Sequence, residues 1–321
     1  MRMIRWGLLG CGDIAKKRVA SAIADDPISE LVAAYRRDVN ALSEFCASFG
    51  GAEPCESAAQ LIARDDIHAI YIATPVHLHC EQTIAAAEAG KHVLVEKPMA
   101  LDPDQCQRMI DACQQNDVTL GVAYYRRFYP AVEKIQQLLA SGTLGRPLSI
   151  LATTGNTNRF PQDDWRVVKD LGGGGPLMDI GSHRLDLFLQ LVGNVRSVQS
   201  VCSQSPDYES EDVAALLLEF ESGCHGVLQC YFGTANTPDR LEVIGTDGRV
   251  TVDALNSGEM KIVIGKDQEL VSLPPEPNFH APLIRDFANA IAEKSSPKVT
   301  GEIGKQTNDV IAKAYEANRQ N

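Results

Sequence analysis

The first 122 residues alternate short apolar runs with longer amphipathic segments, and this alternation constrains the fold more than any other feature of the sequence. The apolar runs lie at residues 4–9, 31–35, 69–73, 92–95 and 119–122, and the helical patterns lie at 15–24, 40–49, 79–89 and 103–115. Short buried strands separated by amphipathic helices are typical of a parallel sheet covered by crossover helices. The sequence therefore predicts an α/β domain with a doubly wound parallel sheet over residues 1–123.

The pattern changes after residue 124. Two helical segments, 130–140 and 177–191, precede β-rich segments at 213–220, 226–232, 241–244, 249–252 and 261–264. These segments follow one another without helices between them and are joined by glycine-containing turns, which is typical of antiparallel strands. We therefore expect a second, α+β domain over residues 124–321 with a large, mostly antiparallel open sheet. Two further helical patterns, 282–292 and 302–318, are expected to pack back on the body of the protein.

Charge and cysteine usage limit the partners and the compartment. The formal net charge is −12, from 42 acidic and 30 basic residues, so phosphate backbones and anionic lipids would be repelled. We expect no nucleic-acid or membrane partner, and no stretch approaches the roughly 20 apolar residues that span a bilayer. The nine cysteines form an odd set without a C-x-x-C pair, and the N-terminal apolar run is too short for a signal peptide. These features predict a cytoplasmic protein with reduced thiols, and we assign no metal site.

A glycine-rich turn follows the first predicted strand and opens the first helix. It reads Gly10-Cys11-Gly12-Asp13-Ile14-Ala15. In a dinucleotide-binding Rossmann domain the first glycine permits the tight turn, the second lets the backbone approach a pyrophosphate, and a small third residue allows close helix packing. We predict that Gly10, Gly12, Asp13 and Ile14 bind a nicotinamide cofactor at the helix N-terminus. An ordinary glycine-rich turn is the alternative.

Two arginines end the second predicted strand, where an NAD-specific domain carries an acidic residue for the ribose hydroxyls. Paired guanidinium groups at Arg36 and Arg37 suit a 2′-phosphate, so the sequence favours NADP over NAD. Two alternatives stay open. The arginines are also compatible with a solvated strand end, and Asp38 lies close enough in sequence to serve a ribose hydroxyl of NAD.

Four motifs, in order along nearly the whole chain, resemble the Gfo/Idh/MocA oxidoreductase family. They are Gly10-x-Gly12-x-x-Ala15, Ala73-Thr74-Pro75 with His79, Glu96-Lys97-Pro98, and residues 172–183, which read GGGGPLMDIGSH. The resemblance implies hydride transfer between a nicotinamide and a carbinol or carbonyl of a sugar, cyclitol or related diol. It leaves the individual substrate open.

The resemblance also implies which residues line the site. Thr74, Pro75, His79, Glu96 and Lys97 should line the cofactor cleft, at the carboxyl ends of the strands where ligands of such sheets gather. Residues 121–130 resemble the family's crossing between domains, and residues 160–166 resemble a Trp-Arg loop that covers the nicotinamide in NADP-preferring members. Arg166 is accordingly predicted to contact cofactor, and Tyr124, Arg126 and Trp165 to contact substrate. For the arginines and the tryptophan, a purely structural packing role is the alternative.

Asp179 and His183 are four residues apart, so a helix over 177–191 would place them on one face. With Lys97 they form the predicted catalytic set. His183 would act as the base, Lys97 would stabilise the developing alkoxide, and Asp179 would orient the substrate or the histidine. A surface Asp/His pair near a helix start is the alternative.

Two other functions compete with a freely exchanging dehydrogenase. One is a dinucleotide-sensing regulator without catalysis, which would need none of Lys97, Asp179 and His183. The other is an enzyme that keeps its cofactor bound and shuttles hydride between two sugars. In each case we expect a homodimer or homotetramer formed through the sheet of the second domain, with a small sugar- or polyol-type molecule as ligand.

Overall fold

The computed structural model describes residues 3–49 and 51–320. It divides into two compact units. The first comprises Met1–Tyr125 with Glu276–Lys305, and the second comprises Arg126–Pro275 with Gln306–Asn321. No described helix is both long enough and apolar enough to cross a membrane.

The first unit is built on a six-stranded, wholly parallel sheet. Its strands are β1 Ile4–Leu9, β2 Ser29–Tyr35, β3 Glu53–Pro54, β4 Ala69–Ile72, β5 His92–Val95 and β6 Leu120–Val122, paired in the order β3-β2-β1-β4-β5-β6. The helices between them are α1 Ala20–Asp25, α2 Val39–Ser48, α3 Ala58–Ile62, α4 His79–Glu88 and α5 Pro103–Gln115. This is the Rossmann strand order, in which ligands bind at the carboxyl ends of the strands. The predicted fold class is confirmed.

Local sequence signals explain why the helices begin where they do. Asp102 accepts a hydrogen bond from the backbone N–H of Gln105 at 2.8 Å, and Pro103 occupies the first turn of α5. The start of α5 was therefore readable from the sequence. The short β3 and α3 were not predicted, because neither offers enough residues for a periodic pattern.

The second unit contains an eight-stranded sheet in the order β14-β13-β12-β11-β7-β10-β9-β8. Its strands are β7 Pro147–Gly155, β8 Val195–Ser203, β9 Val213–Phe220, β10 His225–Tyr231, β11 Asp239–Gly245, β12 Gly248–Val252, β13 Glu259–Ile264 and β14 Asp267–Ser272. Every pairing is antiparallel except that of β7 with β10. The prediction of a mostly antiparallel sheet is confirmed. β7, β8 and β14 were missed; β8 and β14 are edge strands with largely exposed side chains.

Helices α6 Pro130–Ala140, α7 Lys169–Gly172 and α8 Ser182–Val192 belong to the second unit. A wide π-type turn, Leu177–Gly181, leads into α8, which packs on β7 and β10. The segment predicted as one helix over 177–191 is therefore a π turn followed by an α-helix. The turn and α8 together carry the Asp179–His183 pair.

The C-terminal helices are α9 Ala281–Glu293 and α10 Gly301–Gln320. The predicted domain 124–321 included both, whereas α9 belongs to the first unit. There the Phe287 ring lies 5.7 Å from Trp6, and the carbonyl of Val299 accepts from the N–H of Val122 at 3.1 Å. The chain thus returns to the Rossmann sheet after the second sheet is complete, which no local sequence signal announces.

Candidate active site

The glycine turn after β1 has the geometry that its sequence predicts. Gly10 has a φ of 94°, and a Cβ there would lie 2.5 Å from the carbonyl oxygen of Ala73. A Cβ on Gly12, by contrast, would meet nothing within 4 Å, so the backbone faces open space there. Ala15 is fully buried against the sheet. The open side of Gly12 fits a pyrophosphate, which needs close approach to the backbone N–H groups.

Asp13 and Ile14, the other two residues predicted to bind cofactor in this turn, differ in exposure. Asp13 is exposed and forms an i,i+4 ion pair with Lys17 at 3.0 Å. Ile14 is half-buried. Their side chains therefore contribute less to the shape of the turn than the two glycines do.

Arg36 and Arg37 lie at the end of β2 in different environments. Arg36 is half-buried, and its Nη1 donates to the carbonyl of Cys11 at 2.9 Å, which fixes it against the glycine turn. Arg37 is exposed. Asp38 caps α2, since its Oδ1 accepts from the N–H of Ala41 at 3.0 Å. The carboxylate that was the alternative ribose partner is therefore engaged in a helix cap.

His79 is buried at the start of α4 and holds two loops together. Its Nε2 lies 2.8 Å from the carbonyl of Thr74, and its Nδ1 lies 3.1 Å from the carbonyl of Pro98. Burial lowers the pKa of the imidazole, although these contacts oppose the shift. His79 thus ties the loop after β4 to the loop after β5. Its predicted place in the cofactor cleft stays a prediction.

Glu96 faces the interior of the first unit. Its Oε1 accepts from the Tyr71 hydroxyl at 2.7 Å and lies 3.4 Å from Nε2 of His280, and its Oε2 accepts from the backbone N–H of Lys97 at 3.1 Å. Burial alone would raise the pKa of this carboxyl, but the His280 and Lys97 charges and the Tyr71 hydroxyl hold it below the usual value. Glu96 therefore anchors the backbone that carries Lys97. Sequence reasoning missed Tyr71 and assigned no role to His280.

Tyr124 is fully buried in the first unit, whereas Arg126 is the first residue of the second. Nη1 of Arg126 donates to Asn256 at 2.9 Å and lies 3.9 Å from Asp239. The neighbouring Arg127 is buried in an ion pair with Asp186 at 2.8 Å. Within the second unit, these contacts of Arg126 and Arg127 are those of a structural packing role, which was the alternative to substrate binding.

The Trp165–Arg166 loop lies beside the predicted catalytic helix. The guanidinium of Arg166 stacks 4.3 Å from the Trp165 ring centroid and 5.3 Å from that of Phe160. Its Nε lies 4.0 Å from Oδ2 of Asp179. Asp179 is half-buried and His183 is buried. The second unit thus groups Trp165, Arg166 and Asp179, while Lys97 belongs to the first unit and its convergence with them stays a prediction.

Sequence reasoning missed the residues that fix the start of this helix. The buried carboxylate of Glu211 accepts from the N–H of Leu177 at 3.1 Å and from the Tyr315 hydroxyl at 2.9 Å. Burial raises the pKa of Glu211. A Cβ on Gly174 or Gly175 would overlap the Tyr315 hydroxyl or the Glu211 carbonyl. The glycine run therefore permits Glu211 and Tyr315 to pack closely against the start of the helix. It is the sequence feature that indicated close packing there, without identifying these two residues.

Comparison with known proteins matches most of the chain to one family. Residues 4–124 match the model of an oxidoreductase family with an NAD-binding Rossmann fold, and residues 132–251 match the GFO/IDH/MocA C-terminal domain. The chain belongs to the GFO/IDH/MocA family. It is an oxidoreductase with a nicotinamide-nucleotide-binding domain, as the resemblance implied.

The relatives of this chain in the GFO/IDH/MocA family include oxidoreductases of sugars. The 1,5-anhydro-D-fructose reductase of Ensifer adhaerens is 30% identical over 315 residues, which cover 94% of this chain and 92% of that protein. The aldose-aldose oxidoreductase of Caulobacter crescentus, solved with glycerol, has a TM-score of 0.92 at 29% identity and covers 99% of this chain and 98% of that one.

Two further GFO/IDH/MocA structures hold different nucleotides. Levoglucosan dehydrogenase in complex with NADH has a TM-score of 0.91 at 25% identity, with 99% of this chain and 98% of that chain covered. KijD10, a 3-ketoreductase of Actinomadura kijaniata solved with NADP and TDP-benzene, has a TM-score of 0.90 at 28% identity, with 98% of each chain covered. The family therefore accommodates both NAD and NADP.

Proposed function

We propose that the chain is an NADP-preferring dehydrogenase or reductase that acts on a CH–OH group of a sugar, cyclitol or related diol. The observation that carries the proposal is the Asp179–His183 pair at the start of a helix that Glu211 fixes from outside. The family's relatives include a sugar reductase and a levoglucosan dehydrogenase, which supports this substrate class.

The nicotinamide, when bound, accepts or donates the hydride. His183 takes the hydroxyl proton during oxidation and returns it during reduction, because imidazole titrates nearest to neutral pH among the side chains. Lys97 donates a hydrogen bond to the same oxygen and stabilises its developing negative charge. Asp179 orients the histidine or a neighbouring hydroxyl, while Arg166 balances its charge from 4.0 Å.

The cofactor preference rests on Arg36 and Arg37. Arg36 is held on the glycine turn, and Arg37 is exposed, so its guanidinium is accessible to a 2′-phosphate. The capping role of Asp38 weighs against NAD. Thr74, Pro75 and Lys97 complete the proposed cofactor contacts.

The experiment is a panel of sugars, cyclitols and diols screened by the change in nicotinamide absorbance with NADP(H) and NAD(H). We expect turnover with at least one polyol and faster turnover with NADP(H) at equal concentration. An absence of turnover across the panel in both directions would contradict the proposed function.

A second candidate is favoured by the similarity to the aldose-aldose oxidoreductase. In that case the enzyme retains its cofactor and shuttles hydride between two sugars. NADP(H) would then co-purify at full occupancy, and turnover would need two sugars but no added nucleotide.

We also propose a cytoplasmic homodimer or homotetramer. The nine cysteines are free thiols, and eight are buried, which suits a reducing compartment. One face of the eight-stranded sheet carries Val201 and Leu217, which are 64% and 50% exposed. A second copy would cover these side chains. Sedimentation at micromolar concentration should show an oligomer, and a monomer there would contradict the assignment.

A further inference from the structure

The second unit contains a cavity of about 510 Å³ at one edge of its sheet. The strand directions place the ends of β7, β8 and β10 and the start of β9 at this edge. The volume falls within the roughly 300–1,000 Å³ typical of small-molecule sites. The lining includes Arg159, Phe160, Asp207, Tyr208, Asp212 and Phe232.

The cavity adjoins the predicted catalytic helix through one side chain. The guanidinium of Arg166 stacks on the ring of Phe160, which lines the cavity, and its Nε lies 4.0 Å from Oδ2 of Asp179. Asp212, which also lines the cavity, directly follows Glu211, whose carboxylate holds the start of that helix. A ligand in the cavity would therefore be separated from Asp179 by the Arg166 side chain and the Phe160 ring.

The lining combines aromatic rings with hydroxyl-binding groups. Phe160 and Phe232 meet edge to face with ring centroids 4.9 Å apart, and they offer apolar surface to the C–H face of a sugar ring. The Tyr208 hydroxyl accepts from the N–H of Phe160 at 3.0 Å and keeps its own proton for a ligand. Asp207 and Asp212 supply carboxylate acceptors for sugar hydroxyls.

The charge of the lining selects among ligands. The residues that line the cavity carry two carboxylates, Asp207 and Asp212, and one guanidinium, Arg159, while the Arg166 guanidinium lies behind Phe160. This balance disfavours a phosphate or a second carboxylate and favours a neutral molecule. The lining therefore differs from what a nucleoside diphosphate requires, although KijD10 was solved with a TDP derivative.

We propose that this cavity binds a further ring of a neutral glycoside, so that the substrate carries at least one saccharide ring beyond the one that is oxidised or reduced. This proposal rests on the proposed function, because it names the substrate class of the same site. It predicts that a disaccharide is a better substrate than either of its component sugars.

The test compares kcat/KM for maltose, cellobiose, lactose and melibiose with that for glucose and galactose. Ser205 also lines the cavity, so Ser205→Trp would fill it. Asp207→Asn would remove one carboxylate with little effect on folding because Asp207 is exposed.

For the preferred disaccharide we expect kcat/KM to fall about tenfold or more in each variant, since charge-assisted hydrogen bonds or ring contacts are lost. The values for the monosaccharides should not change. Glu269→Gln, an exposed carboxylate on β14, is the control that should alter neither.

Two kinds of failure are distinguishable. Turnover of monosaccharides but no preference for any disaccharide, or equal losses for both in Ser205→Trp, would overturn the proposal and leave the proposed function intact. If no sugar supports turnover, calorimetric titration measures whether the same disaccharides and UDP-glucose bind. Disaccharide binding that Ser205→Trp abolishes supports the cavity. Absence of disaccharide binding, binding unaffected by Ser205→Trp, or tighter binding of UDP-glucose refutes it.

Discussion

At the scale of single residues, neighbouring side chains of one motif perform different tasks. Arg36 donates to the glycine turn, while Arg37 extends from the same strand end into solvent. Glu96 points into the interior of the first unit and accepts a hydrogen bond from the backbone N–H of Lys97. The Lys97 side chain itself is half-buried. Within one motif, a side chain with a structural contact thus stands next to one that is exposed or half-buried.

The two arginines should therefore respond differently to substitution. Arg37→Ala should weaken NADP(H) by about tenfold or more and leave NAD(H) nearly unchanged, because a charge-assisted contact with the 2′-phosphate contributes roughly 1.5 to 3 kcal/mol. Arg36→Ala should weaken both cofactors, since the contact with Cys11 that steadies the turn is also lost. Fluorescence titration with NADPH and NADH measures both affinities, with exposed Arg249→Ala as the control. Equal affinities of the parent protein for the two nucleotides would refute the NADP preference.

His79 should make the stability of the protein depend on pH. Its folded pKa is lowered by burial, so the unfolded chain binds the proton more readily, and stability is lost as pH falls through the ordinary value near 6.5. His79→Gln should reduce the slope of unfolding free energy between about pH 7 and pH 5. His92, whose pKa burial also lowers, should keep part of that slope.

Chemical denaturation at a series of pH values measures this slope. Exposed His225→Gln is the matched control and should leave it unchanged. An identical slope in the parent and the His79→Gln protein would show that the imidazole is not buried in its neutral form.

At the scale of elements, the π turn Leu177–Gly181 and α8 form the part of the second unit on which the proposed chemistry depends. The sequence indicated a helix with Asp179 and His183 on one face, because their spacing and the glycine run are local features. The glycine run indicated close packing there but did not identify the residues that pack. Glu211 lies 34 residues from Leu177, to which it is hydrogen-bonded, and Tyr315 lies 104 residues from its own partner, Glu211. Long-range partners of this kind leave no periodic trace.

Substitutions at Glu211 or Tyr315, which hold the start of this helix, should lower kcat and leave the cofactor-binding unit unchanged. Glu211→Ala should reduce kcat on the order of tenfold to a hundredfold, because small displacements of catalytic groups are costly. Glu211→Gln should restore part of the loss, since its amide oxygen still accepts from Leu177. Tyr315→Phe should have a smaller effect.

The readouts separate positioning from general destabilisation. NADPH affinity and KM should change much less than kcat, and exposed Glu269→Gln should behave like the parent protein. A Glu211→Ala protein with parental kcat would remove Glu211 from the account of the site.

At the scale of the whole molecule, the chain forms a Rossmann unit and a second unit with a large sheet. It returns to the first unit with Glu276–Lys305, after the second sheet is complete, and ends in the second unit with Gln306–Asn321. The alternation of apolar runs made the parallel sheet predictable, and glycine turns made most of the antiparallel strands predictable. The return of α9 and the edge strands β8 and β14 were not, because tertiary contacts decide where an amphipathic helix docks and edge strands lack a buried face.

We propose that Lys97 and His183 act on one substrate oxygen, although they belong to different units. The most direct test measures kcat/KM and NADPH affinity for Lys97→Ala, His183→Ala and the double variant. Exposed Lys266→Ala and His225→Ala serve as controls. Each single variant should lose on the order of a hundredfold or more in kcat/KM, with NADPH affinity nearly unchanged. The kcat/KM of the double variant should be only slightly below that of the less active single variant. Parental activity of His183→Ala across the pH range, or fully additive losses in the double variant, would contradict the account.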